Sequence, residues 1–507
     1  MVFGEGSSSS SRNCFRVLGI LSYIFCAELG TEKTIYSLVF TMQEEGSSSV
    51  TSSPLQSVST MSLSPSLGSP HPMPKELRSE ERGLCLIHLL LTCGNHVAAG
   101  NIETANVLLG QSSMLASPEG DTMQRIAAYF TEALADRILK AWPGLHRALN
   151  STRMVMVSEE VLTRKLFYEI FPFMKIAFVL TNQAIIEAMK GEKMIHIIDL
   201  NAIESAQWLA LLQILSKRPE GPPHLRITGV HQKKEILDQI AYRLVEEAEK
   251  LDIPFQFNPV VSKLESLDFE KFRVKSGEAL AITSMLQLHS LLAWDNEAAQ
   301  RRNPQLARTS NAIHRKRKQP MFQSSSSDLP ENTPSPDSSS SSPASLTTSN
   351  SKHTESFLNA LCGLSPKVMV VTEQDSNHNG LTLMDRLLEA LYSYAALFDC
   401  LECTLPRTSL ERLRLEKMLF GEEIKNIVAC EGLERRERHE RLDKWIHRFY
   451  LAGFVNMPLS YFGTLQAKRF LQSYSCDGYR MREENGCVLI GWQDRPLFSV
   501  SAWRSRK

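Results

Sequence analysis

The sequence predicts an α/β protein: a Rossmann-like core that ends in an antiparallel hairpin and carries an α-helical cap. Three observations predict it. The apolar run Met194–Asp199, the helical spacing of Trp208, Leu211, Leu212 and Leu215, and a second apolar run, Leu225–Val230, together read as a right-handed βαβ unit. Residues 79–190, ahead of that unit, show only helical periodicity. The chain closes on alternating segments around Asn485-Gly486, a dipeptide suited to a tight hairpin turn.

The cap comes first. Leu84, Ile87, Leu90 and Leu91 recur at helical spacing, and Ala98, Ala105, Leu108 and Leu109 continue it past a break at Ala99-Gly100-Asn101. Ile126, Phe130, Leu134 and Ile138 define a helix over Thr122–Trp142, stopped by Pro143-Gly144. Val157–Met189 supplies two more. The core then alternates. Strands are expected at Ile195–Asp199, Arg226–Val230, Phe255–Val261, Ala279–Ser284 and Val368–Glu373. Helices are expected near Ala206–Ser216, Lys234–Leu251, Lys263–Phe272 and Gly380–Phe398. Arg480–Glu484, Val488–Gln493 and Leu497–Trp503 complete the sheet. That order of elements is the one found in class I methyltransferases, an analogy of fold alone. Thr408–Tyr450 falls outside the βα period and reads as a charged helical pair packed on the cap.

Domain boundaries follow from composition. Residues 1–41 read as a gene-model extension ahead of a start at Met42; the apolar stretch Val17–Leu29 within them is shorter than the ~20 residues that span a bilayer. Residues 42–78 are a disordered Ser/Pro-rich tail. The cap occupies 79–190 and the first part of the core 191–292. Residues 293–356 form a solvated loop with a basic cluster and polyserine, and 357–507 complete the core, with cap helices near 408–450. Lys+Arg and Asp+Glu number 56 each, so no global field draws the chain to nucleic acid. The ten cysteines are scattered, and the single CxxC, Cys400 and Cys403, has no second pair to complete a zinc site.

The chemistry expected of such a core is missing at its usual place. A nucleotide-binding βαβ unit carries glycines in its first turn, so that backbone can approach the ligand. Here the turn is Leu200-Asn201-Ala202-Ile203-Glu204. After the second strand, where an acid would hold ribose hydroxyls, stand His231-Gln232-Lys233-Lys234. Asp199 therefore reads as a strand-end carboxylate and His196 as a hydrogen-bonded core histidine. No GxSxG elbow surrounds Ser205. We assign no catalytic residue, no cofactor-binding residue and no metal ligand. Leu86, Leu89 and Leu90 fit an LxxLL docking face, as does Leu288-His289-Ser290-Leu291-Leu292, although core-facing helices produce the same spacing. Arg315, Lys316, Arg317 and Lys318 are a compact basic run suited to nuclear import or to solubility.

Several segments resemble the plant GRAS family. Ile195, His196, Ile197, Ile198 and Asp199 (IHIID) resemble its VHIID signature, and His224–His231 resembles the segment that follows it. Leu84–Leu109 and Val260–Phe272 stand where its two leucine-rich regions belong. Pro406 with Glu422-Glu423 resembles the PFYRE block, Arg435–Glu440 (RRERHE) resembles the RVERHE-type block, and Ser501, Ala502 and Trp503 close the chain as its SAW motif does. The resemblance implies a helical cap on a Rossmann-like core, a nuclear or nucleocytoplasmic location, and non-enzymatic work as a transcriptional co-regulator in gibberellin signalling and root development. It implies contact with DNA only through partners such as indeterminate-domain zinc-finger proteins. Pairing with other GRAS proteins, DELLA repressors among them, as homo- or heterodimers follows too, with no cofactor and no membrane. Where the family carries a glycine before the Gln-Trp pair, this chain has Ala206. The rival reading is a methyltransferase-like enzyme or a small-ligand receptor that uses the pocket of the core.

Overall fold

A computed structural model describes residues 78–151, 157–295, 352–474 and 476–506. The basic run Arg315–Lys318, the Ser/Pro-rich tail and residues 1–41 lie outside the described residues.

A mixed sheet of nine strands forms the centre. Its parallel half is β1 (Met194–Asp199), β2 (His224–His231), β3 (Phe255–Val261), β4 (Ala279–Met285) and β5 (Val368–Gln374). The other strands are β6 (Phe454–Met457), β7 (Tyr479–Glu484), β8 (Cys487–Trp492) and β9 (Arg495–Ser505). The order across the sheet is β3-β2-β1-β4-β5-β9-β8-β7, with β6 also paired to β9. β9 can serve three partners because it is 11 residues long. One edge lies antiparallel to β5; the other meets β8 and then β6. The β7–β8 hairpin turns at Asn485 and Gly486, with φ of 51° and 74°, the left-handed pair that a two-residue turn needs.

Strand residues alternate between two cores. Ile195, Ile197, Val368, Val370, Val500 and Ala502 face the larger cluster, shared with the helices; Ile198, Met369, Val371 and Trp503 face the smaller one on the other side. A bulge sits where Gly491 pairs Pro496 and Ile490 pairs Phe498, upstream of the closing motif. The alternation from Phe498 to Trp503 is therefore unbroken, and Trp503 is fully buried, stacked on Phe449 at 4.6 Å with its Nε1 donating to Ser501 Oγ at 2.9 Å.

The helices are α1 (Ser79–Ala99), α2 (Ile102–Leu115), α3 (Thr122–Leu139), α4 (Pro143–Asn150), α5 (Val157–Ile170) and α6 (Pro172–Ala188) before the sheet. α7 (Ala206–Leu215), α8 (Lys234–Lys250) and α9 (Lys352–Gly363) lie between strands. α10 (Leu383–Thr404), α11 (Leu410–Leu415), α12 (Gly421–Ala429), α13 (Leu442–Leu451) and α14 (Tyr461–Gln472) follow β5. α3 starts on a reciprocal cap: Asp121 accepts from Gln124 N, and the Gln124 side chain accepts from Asp121 N. α1, α2 and α3 pack together, and α12 packs on α3. α10 touches both this helical layer and β8 and β9. Buried ion pairs stitch the layer: Arg125 and Arg412 both pair with Glu416, and Arg412 also holds Glu402.

Two expectations change, and one strand is additional. The helix expected over Lys263–Phe272 is two 3-10 turns, Leu264–Ser266 and Phe269–Phe272, because the Asp268 carboxylate accepts from Glu270 N and starts a new turn. The helical pair expected on the cap divides: α12 packs there, but α13 packs on β6 and α9, its Trp445 and Phe449 filling the smaller core. The four-residue β6 follows Gly453, whose φ of 86° ends α13 and turns the chain into the sheet.

Candidate functional site

The segments that leave the C-terminal ends of β1–β5 surround a cleft of about 270 Å³. Asn201 follows β1, His231 and Lys233 end or follow β2, Ser262 follows β3, Gln287 and His289 follow β4, and Gln374 ends β5. Phe167 and Tyr168 of α5, with Leu419 and Phe420 from a π-turn at Glu416–Phe420, form the facing wall.

At β1 the cleft is closed by the chain's own atoms. Asp199 accepts from Asn201 N at 3.0 Å and from Trp208 Nε1 at 2.9 Å. Burial pushes its carboxyl up to about 6, against the pull of those two donors. Ala202 N donates to Val230 O at 3.0 Å, which lays the turn flat on β2. The glycine that permits this is on the neighbouring strand: a Cβ at Gly229 would stand 3.0 Å from the Ala202 methyl and 2.7 Å from the Phe257 ring. The N-terminus of α7, where a phosphate would ordinarily bind, is taken by Glu204, whose Oε1 accepts from Ser205 N at 2.8 Å.

His196, the third residue of β1, is fully buried. Arg226 Nη2 donates to its Nδ1 at 3.0 Å, so its Nε2 carries the proton and donates to Thr228 Oγ1 at 2.8 Å. Burial, helped by the Arg226 charge, holds it down at about 4, and it stays neutral. Its neighbours Ile195, Ile197 and Ile198 are buried as well. Leu86, Leu89 and Leu90 of α1 face inward with 0%, 8% and 0% exposure, and Leu288, Leu291 and Leu292 are buried in the smaller core. Ser501, Ala502 and Trp503 are buried within β9.

At β4 and β5 the cleft floor is polar. Glu373 accepts from Gln287 N at 3.0 Å and Leu288 N at 2.7 Å, and meets His289 Nδ1 at 2.7 Å. The other ring nitrogen of His289 lies 3.3 Å from Glu437 Oε2, and His439 Nε2 lies 3.3 Å from the same oxygen. His439 Nδ1 in turn meets His378 Nδ1 at 2.9 Å. Burial opposes charge on His289, but Glu373 and Glu437 outweigh it and lift the ring to about 10. Burial drives His439 well below the ordinary histidine range and His378 down to about 4. Glu423, which accepts from Tyr394 at 2.8 Å, is raised to about 7 by burial and by repulsion from Glu437.

None of these groups was singled out as a site by sequence reasoning. Glu437 and His439 sit inside the RRERHE segment and His289 inside the second LxxLL-like segment, each read there for another reason. The available signal was histidine and glutamate in two segments, one just after the fourth predicted strand and one inside the predicted charged helical pair. Pairing residues about 150 positions apart needs the fold.

Comparison with known proteins gives a consistent neighbourhood. The GRAS domain family model matches residues 86–504. Scarecrow-like protein 3 of Arabidopsis thaliana is 62% identical over 481 residues, spanning 92% of this chain and 99% of that protein. DELLA protein RGL1 of Arabidopsis thaliana is 32% identical, over 84% of this chain and 71% of its own length. Among solved structures, SCL7 of Oryza sativa superposes with a TM-score of 0.64 at 29% identity, covering 83% of this chain and 99% of that one.

Proposed function

The chain belongs to the GRAS family of transcriptional regulators, and we propose that it is a non-enzymatic co-regulator that bridges a DNA-bound protein to a second regulator. The observation that carries this reading is the near end-to-end likeness to Scarecrow-like protein 3. The process we assign is gibberellin signalling and root development, in the nucleus. The partners we assign are indeterminate-domain zinc-finger proteins on one face and another GRAS protein, such as a DELLA protein, on another. The filled turn after β1 and the Glu204 carboxylate at the start of α7 favour a scaffold over a nucleotide-dependent enzyme. The strand order, five parallel strands followed by an antiparallel extension, favours descent of the core from a methyltransferase-type Rossmann sheet. α4 favours a partner face in the helical layer, since none of its residues is buried and Leu145 and Leu149, one turn apart, are exposed.

The test is reconstitution on promoter DNA. The purified chain should shift the DNA only when the zinc-finger protein is present, and a DELLA protein should join or displace it. A shift by the chain alone would overturn the bridging reading. A second reading, a small-ligand receptor, is favoured by the open cleft. Calorimetric titration with gibberellin separates the two.

A further inference from the structure

We infer that His289, Glu437 and His439 form a binding site for a first-row transition-metal dication of the Zn²⁺ type on the floor of the cleft. The ligand atoms of the three side chains all lie within 4.8 Å of one another. A tetrahedral ion with bonds of ~2.0–2.1 Å has ligand-to-ligand edges of about 3.3–3.4 Å. His289 Nε2 and His439 Nε2 each stand 3.3 Å from Glu437 Oε2, so two edges of that tetrahedron are already drawn.

The surroundings point the same way. A metal-binding histidine ordinarily has its second ring nitrogen held by a carboxylate or another fixed polar group, which sets the ring's orientation. Glu373 does this for His289 at 2.7 Å, and its carboxylate is itself fixed by two backbone N–H groups. His378 does it for His439 at 2.9 Å. Both rings are thus turned so that their Nε2 atoms converge on one carboxylate oxygen. All three side chains line the cleft, so a fourth position would open to solvent or to a small anionic ligand. Two imidazoles and one carboxylate suit Zn²⁺ and its first-row neighbours, rather than Ca²⁺ or Mg²⁺, which prefer oxygen ligands alone.

The site also joins distant parts of the chain. His289 follows β4, while Glu437 and His439 belong to the extended segment between α12 and α13. A bound ion would pin that segment to the sheet and stabilise the native state by mass action.

The experiment uses the full chain, stripped with a chelator and titrated with Co²⁺ and then Zn²⁺. The expected result is one equivalent of Co²⁺, with the visible bands of a four-coordinate site and no thiolate charge-transfer band. Zn²⁺ should displace it and raise the melting temperature. Glu437→Gln and His439→Gln should abolish the bands. Glu373→Gln, which alters only the bond that orients His289, should weaken affinity by about 10–100-fold. Absence of stoichiometric binding, or equal affinity in Glu437→Gln and His439→Gln, overturns the site. Should either variant melt below the chelated wild type, anomalous scattering from zinc-soaked wild-type crystals decides. A peak between the three side chains supports the site, and a peak elsewhere or none at all overturns it.

Discussion

At the C-terminal end of β1 the chain closes on itself, whereas at the ends of β4 and β5 largely buried imidazole and carboxylate groups line the cleft. Both ends belong to one sheet and border one cleft. At β1, both carboxylate oxygens of Asp199 and the first N–H groups at the start of α7 meet partners a few residues away, and Ala202 N bonds back to Val230 O. At β4 and β5 the partners come from far along the chain, through the segment between α12 and α13. The difference teaches that one part of a parallel sheet's edge can be closed by local packing while another part of the same edge lines a cleft with histidine and glutamate side chains.

The comparison rests on one sheet held rigid beneath both halves, and the largest effect should come from breaking it. Trp503→Ala would leave a cavity against Phe449 and should cost about 3–5 kcal/mol. The melting temperature should fall and all partners weaken together. Loss of one partner at an unchanged melting temperature would make Trp503 a recognition residue instead.

Acid should strain the β1 half next. His196 is buried neutral, with its ring held at about 4 against an ordinary 6.5. The unfolded chain therefore takes up a proton that the folded chain refuses. This contribution is fully present above pH 6.5 and is lost as the pH falls through 4, by about 3 kcal/mol. Urea titrations across that window should show the loss, and His196→Gln should flatten that part of the slope. An unchanged slope in the variant would mean that other groups, such as His378 and His439, carry the acid sensitivity.

A smaller effect sharpens the account of the closed turn. Gly229→Ala would press on the Phe257 ring and the Ala202 methyl, at a cost of ~1–3 kcal/mol read by thermal melting. Full stability in this variant would show that the turn is looser than its contacts. The smallest effect lies outside both halves. Changing Arg315, Lys316, Arg317 and Lys318 to Ala should alter stability by less than ~0.5 kcal/mol, yet raise the cytoplasmic fraction of a fluorescent fusion.

The sheet was legible because β1, β2, β4 and β5 are apolar runs buried on both faces, and Asn485-Gly486 can hardly be anything but a tight turn. The SAW segment could be placed in a strand, and the unbroken alternation after Leu497 settles which face Trp503 takes. The 3-10 turns were not legible, since Leu264, Leu267 and Phe272 fit a helical stripe until Asp268 competes for the backbone. β6 was hidden by its length, and α13 by a charged pattern that fits a cap as well as a sheet face. The closed turn was half legible. Its missing glycines could be read directly, but the glycine that matters, Gly229, lies on the next strand. The polar floor was not legible at all, because local spacing holds no record of which distant segments meet.

The central claim is that the core serves as a scaffold whose nucleotide cradle is filled by its own turn. Calorimetric titration of S-adenosylmethionine into the full chain tests it most directly. The account predicts no saturable heat, with the wild type and Asn201→Ala indistinguishable. One equivalent of S-adenosylmethionine bound by the wild type, and lost in Asn201→Ala, would contradict it.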